Sequence, residues 1–194
     1  MPEQLYFGAV PVPYTASWSA EEGTTHVAPC RWASGRPALC QAVARGEGKP
    51  LFGKPHAQRQ RQAIVDGLCD LCGRPLKNCT KVSLSHARTH ANGAHGLANL
   101  QVEPLLHREC AATSARLCPS LRRDLRDGAI EVRQVTRFRV QIAVIAPQFI
   151  AEYVPGYRAR PDERIAGHAK VELIKWKDRT ADWLLAGLAD LEAA

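Results

Sequence analysis

The chain has 194 residues, 45% hydrophobic and 23% charged, which is enough to bury one real core and too apolar for wholesale disorder. Its 26 Lys and Arg against 19 Asp and Glu leave a net charge of +7, which favours a polyanionic partner without requiring one. No stretch approaches the roughly 18 apolar residues of a membrane helix, and Met1 to Tyr6 lacks the basic and apolar regions of a secretory signal, so a soluble, cytoplasmic protein is expected.

In chain order, Gln4 to Trp18 reads as a strand interrupted by Pro11 and Pro13, hence an edge or bulged one. Residues 21–55 are rich in Gly and Pro and read as loop, with a short helical piece at Ala38 to Ala44. Trp32 and Phe52 are expected to pin that loop to the body. His56 to Gly67 reads as a helix stopped by Gly67, with Gln58, Arg59, Arg61 and Gln62 on its polar face. Cys69-Asp70-Leu71-Cys72-Gly73 forms a tight knuckle. Lys81 to Ser85 follows as a short strand, Ala91 to Ala98 as a loop and Leu100 to Leu105 as a return strand.

His107 to Leu117 reads as a helix that ends there because Pro119 biases Cys118 away from helical geometry. A second short helix is expected from Pro119 to Asp127, before Gly128. The strongest strand signal is Ile130 to Ile145, where apolar residues alternate with Glu131, Arg133, Arg137, Arg139 and Gln141. Gly156 to Gly167 reads as a polar connection and Ala169 to Lys175 as a strand. Thr180 to Leu191 closes as a helix with Trp183, Leu184, Leu188 and Leu191 on one side; Trp176 and Trp183 read as core. The expected organisation is an α+β fold: an N-terminal strand and loop segment (1–55), a zinc-binding module (56–127), and C-terminal strands with a closing helix (128–194).

Seven cysteines, two of them spaced Cys-x-x-Cys, read as metal ligands before disulfides in a reducing compartment. Structural zinc sites come as two ligand pairs, each on one turn of chain. Here the pairs are Cys69 with Cys72, and His107 with Cys110 at the start of a helix, where positions i and i+3 face the same way. Cys79 or Cys118 remains open as a substitute for one ligand. A redox role for Cys69 and Cys72 fits less well, because their expected helix precedes the motif instead of following it.

Residues 60 to 118 resemble the core of HNH endonucleases. The resemblance is carried by Cys69-Asp70-Leu71-Cys72-Gly73, Val82-Ser83-Leu84-Ser85-His86, a loop with Gly93 and Gly96 leading to Asn99-Leu100-Gln101, and His107-Arg108-Glu109-Cys110. It implies a zinc-bound β-hairpin crossed by a helix (ββα, treble clef) and a nucleic-acid partner, DNA first. It also implies His86 as the general base, and Asn99 as the residue that orients the loop and base. A catalytic Mg2+ or Mn2+ would be needed only if the protein cuts. Two positions that hold the catalytic metal in that family are Ser85 and Ala111 here; His90 and His95 could compensate.

Three functions compete. The favoured one is an HNH-like nucleic-acid-binding protein of phage or mobile-element type with weak or absent chemistry. It would use Arg59, Arg61, Arg88, Arg108, Arg133, Arg137 and Arg139 as phosphate contacts. The others are an active endonuclease using His86, and a protein-interaction or anti-defence factor in which zinc is only a staple. Arginine pairs also occur at Arg122 and Arg123 and at Arg158 and Arg160. With 6% aromatics, a stacking platform for single strands is not signalled. The sequence does not settle the oligomeric state.

Overall fold

Residues 2–23, 25–92 and 96–192 are described by the computed structural model. The proline-broken start forms a small hairpin, β1 (Tyr6–Phe7) and β2 (Val10–Pro11), then β3 (Ala16–Trp18), which pairs with β6 (Pro50–Pro55). Between them lie β4 (His26–Pro29) and β5 (Pro37–Cys40). The expected helical piece at Ala38 to Ala44 is not helical: residues 38–40 belong to β5 and residues 41–44 are irregular. Pairing of β5 with β4, and with Ala166 on its other side, overrides the weak helical preference of Ala and Leu. Trp32 does pin the loop: its Nε1 donates to Asp66 at 3.0 Å. Phe52 does not, and stays about half exposed.

The first long helix, α1 (Ala57–Val65), is capped by the side chain of His56, which accepts from the Arg59 amide. It stops where Gly67 adopts a φ of 63°, a conformation costly for any residue with a Cβ. Then follow β7 (Lys81–Ser85), β8 (His90–Asn92), β9 (Gly96–Gln101) and β10 (Leu106–His107), and the helices α2 (Arg108–Leu117) and α3 (Pro119–Arg126). The chain ends with β11 (Glu131–Ile145), α4 (Ile150–Tyr153), β12 (Ile165–Arg179) and α5 (Ala181–Glu192).

One eight-stranded sheet runs in the order β10-β7-β11-β12-β5-β4, with β9 on β12 and β8 on β9. All its pairs are antiparallel except β12 with β5. The fold is α+β, as expected. Two details differ. The segment read as a loop at Ala91 to Ala98 contributes β8 and the start of β9; Gly93 and His95 lie outside the described residues. The return strand is not Leu100 to Leu105. The chain bends at Val102 and Glu103, Pro104 lacks the N–H a ladder needs, and the strand that pairs with β7 is β10. β12 also starts earlier than expected, at Ile165.

The main core lies between this sheet and the helices. It gathers Val82, Leu84, Leu106, Ala111, Ala115, Val132, Val171, Leu173 and Leu184 around the cysteines of the knuckle. α2 presents Ala111, Ala112 and Ala115 inward, and these small residues let α5 pack closely across it. Trp183 is held between the guanidiniums of Arg108 and Arg179, 4.4 and 4.8 Å from the ring centre. Among the described residues no helix is long and apolar enough to cross a membrane.

Candidate metal centre

The knuckle is made by backbone first. The Cys69 amide donates to the Arg74 carbonyl at 2.8 Å and the Gly73 amide to the Cys69 carbonyl at 2.9 Å, so the chain reverses around the two thiols. Gly73 is required here for two reasons. Its φ is 66°, and a Cβ would come within 2.8 Å of the Tyr14 ring. Tyr14 belongs to the N-terminal segment, which lies over the knuckle: its amide donates to the Asp70 carbonyl, and the Thr15 hydroxyl bonds the Asp70 side chain.

The second pair comes from β10 and α2. His107 is the N-cap residue of α2 and Cys110 stands one turn in. Pairing of His107 with Lys81 across β10 and β7 sets its height over the knuckle. The donor atoms of Cys69, Cys72, His107 and Cys110 all lie within 4.8 Å of one another, and all four residues are buried. Cys79 and Cys118 are not in this group.

The geometry fits a tetrahedral ion. Zn–S and Zn–N bonds of about 2.3 and 2.0 Å place sulfur and nitrogen about 3.5 Å apart. Cys72 Sγ and Cys110 Sγ stand 3.5 and 3.8 Å from His107 Nδ1. His107 Nε2 lies 3.2 Å from the Pro75 carbonyl, which can only accept, so Nε2 carries a proton and Nδ1 is the ring atom that would offer its lone pair to an ion. Among themselves the four donors compete for protons. Hydrogen bonds from Cys110 and Cys69 drive Cys72 toward the thiolate, while Cys69 and Cys72 drive Cys110 the other way and push His107 up to about 11. A divalent cation at the centre displaces such protons. Four protein donors leave no open coordination position, the mark of a structural ion.

His86 ends the same strand, just past β7. Its imidazole is largely exposed, with Nε2 3.6 Å from Asp124 Oδ2 of α3. Asn99, on β9, is buried and donates from Nδ2 to the carbonyl of Ala87, 3.1 Å away, so it grips the backbone one residue beyond His86. The two residues that replace the family's metal ligands are used otherwise. Ser85 is buried and donates to Glu103 at 3.0 Å, and Ala111 is core. The side chains of His90 and His95 lie outside the described residues. A cavity of about 440 Å³ opens beside His86, walled by Leu84, Glu103, Leu106, Leu117, Leu121 and Asp124. Among the described residues the Cys3His group is the one converging set of three or more metal-type donors.

The seven arginines named from sequence do not form one surface. Arg59 is buried against Glu21, with both hydrogen bonds at 2.7 Å. Arg61 is wholly buried and donates to the carbonyls of Gly167 and Leu39, tying α1 to β12 and β5. Arg133 is wholly buried, donating to the Ala87 carbonyl at 2.7 Å and paired with Glu131. These three are fold-building residues and cannot serve as phosphate contacts without unfolding their surroundings. Arg108 packs on Trp183. Arg88 pairs with Glu131 at 2.9 Å and Arg139 with Glu172 at 2.8 Å, both half-exposed or more. Arg137 is exposed. A polar helix face in sequence looks the same whether it meets water or buried carbonyls, which is why Arg59 and Arg61 misled. Matched against known proteins, the chain finds no family model, no curated protein and no solved structure similar to it, so the metal centre rests on the geometry of Cys69, Cys72, His107 and Cys110.

Proposed function

We propose that the protein is a zinc-stapled, HNH-like nucleic-acid-binding protein with weak or absent nuclease chemistry. The observation that carries the zinc half is the convergence of Cys69, Cys72, His107 and Cys110 around one point. Thiolate and imidazole donors in a tetrahedron select zinc over the oxygen-seeking cations. The order knuckle, β7, β8, β9, β10, α2, with ligands on the knuckle and at the junction of β10 and α2, supports the HNH-like reading. So does the Asn99 bond that steadies the backbone after His86. The burial of Ser85 and Ala111 is what argues against full catalytic competence. The net charge of +7 supports a polyanionic partner.

A second reading, an active endonuclease, is favoured by one observation: Asp124 stands where it can orient His86 as a base. The experiment is one preparation with three assays. Metal content is expected at about one zinc per chain. Duplex DNA binding is expected to weaken steeply between low and moderate salt. Plasmid cleavage with Mg2+ or Mn2+, compared with His86→Ala, decides the chemistry. Cutting lost in the variant makes the protein a nuclease. Binding without cutting supports the proposal, and neither binding nor cutting reduces the zinc to a staple in a protein-interaction factor.

A further inference from the structure

We propose that α3, which lies beyond the stretch resembling HNH proteins, is the docking helix for a nucleic-acid duplex. Arg122, Arg123 and Arg126 would grip the phosphate backbone at the mouth of the cavity beside His86. The inference rests on the nucleic-acid reading above and deepens it.

α3 has three distinct faces. Leu121 and Leu125 turn inward and pack on the main core. Ser120, Leu121 and Asp124 line the cavity beside His86. Arg122, Arg123 and Arg126 are exposed. Arg122 and Arg126 stand four residues apart, so they project as neighbours one helical turn apart. The helix is held at both ends: Pro119 starts it at a position where no N–H is needed, and Gly128 with a φ of 67° follows its end. A short, rigid element carrying three outward guanidiniums is suited to phosphates and offers no apolar anchor to a protein partner.

The carboxylates nearby do not neutralise this face. Arg123 meets Asp124 at 3.3 Å and Arg126 meets Asp127 at 3.1 Å, each a pairing of sequence neighbours in solvent, and such pairs hold a guanidinium only loosely. Asp124 has a second role. Its Oδ1 faces Arg123 while its Oδ2 faces His86, so a single carboxylate joins the proposed phosphate-gripping surface to the imidazole. A backbone seated on α3 therefore runs past the cavity in which His86 stands. Duplex is preferred over single strand because the face carries guanidiniums and no aromatic ring for stacking.

The test uses the full chain loaded with zinc and a fluorescent DNA duplex of about two turns, with anisotropy followed over a range of salt. The variant Arg122→Gln/Arg123→Gln/Arg126→Gln is compared with Arg158→Gln/Arg160→Gln/Arg164→Gln, which removes the same charge from exposed residues that precede β12. Zinc content and circular dichroism report that each variant is folded. The α3 variant is expected to bind at least about 10-fold more weakly and to flatten the plot of log Kd against log salt by about 2 to 3, close to one for each phosphate that is no longer gripped. The control is expected to weaken far less. A single reversal, Arg122→Glu, should move binding in the same direction. Equal losses of affinity in the two triple variants would mean diffuse attraction and would overturn the proposal. Wild-type binding that the α3 variant leaves intact would also overturn it while the nucleic-acid reading survived. If the wild type binds no duplex, the nucleic-acid reading itself fails.

Discussion

At the scale of single residues, the most consequential atoms are the four donors of the metal centre. Replacing Cys110 by Ser removes one soft ligand from a closed site and leaves three donors facing a cavity they were built to fill. The expected outcome is loss of the bound zinc and of most of the folding free energy it supplies, which in small zinc modules is on the order of 10 kcal/mol. A colorimetric zinc assay on the purified variant, with circular dichroism beside it, checks this. The same substitution at Cys79 or Cys118, which stand outside the cluster, should leave metal content unchanged. At His107, the bond from Nε2 to the Pro75 carbonyl orients the ring so that Nδ1 faces the sulfurs.

At the scale of elements, the joint between the N-terminal segment and α1 is a buried charged network. Glu21 and His56 are wholly buried and Arg59 nearly so. Glu21 accepts from Arg59 and from the amides of Trp18 and Ala44. Burial pushes the Glu21 carboxyl up, but the hydrogen bonds from Arg59 and the two amides outweigh it and hold the group below its ordinary value. Glu21→Gln strands the Arg59 guanidinium and should cost about 3 to 5 kcal/mol, read as a shift in the urea midpoint.

His56 runs the other way in charge. Burial, with Arg59 nearby, holds the imidazole below its ordinary 6.5 although the bond to the Ala42 carbonyl pulls the other way, and Nδ1 accepts from the Arg59 amide as a neutral ring does. As pH falls through 6.5 the unfolded chain takes up a proton that the folded chain refuses, so stability declines from there downward. Glu21 adds its loss later, as pH falls below the ordinary carboxylate value of 4.5 and through its lowered folded value. Urea midpoints between pH 7.5 and 5.5 should therefore fall in the wild type and fall less in His56→Gln.

At the scale of the whole molecule, one sheet takes strands from all three segments that the sequence suggested. β7 of the metal region lies beside β11, with β10 outside it at the edge, and β5 of the N-terminal segment lies beside β12. An ion held by these four donors would therefore brace a sheet edge and a helix that packs on α5, not an isolated finger. Chelation should lower the melting temperature of the entire chain in one transition. A calorimetric trace that splits, with one part insensitive to chelator, would show that the sheet stands without its metal. The proposed nucleic-acid role is tested at this scale too, since charge acts at a distance: on that proposal duplex affinity falls with a log–log salt slope set by the number of phosphates gripped.

Local chemistry was legible without the fold. Cys69, Cys72, His107 and Cys110 could be named because zinc needs soft donors in pairs one turn apart, a requirement written in spacing. β7, α2, α3 and the long β11 could be named because hydrophobic period and the stops at Pro119 and Gly128 act over a few residues. Only the tertiary structure decided which charges face water. Arg59 and Arg61 stand among glutamines, and Arg133 lies in an alternating strand, as surface arginines would, yet each meets a buried carboxylate or carbonyl supplied by a distant segment. Strand partners were hidden for the same reason. β5 is a strand because β4 and β12 pair with it, and β10 replaces the expected return strand because the bend before Pro104 turns the chain away. Burial and pairing depend on what arrives from elsewhere in the chain, and no window of local sequence contains that.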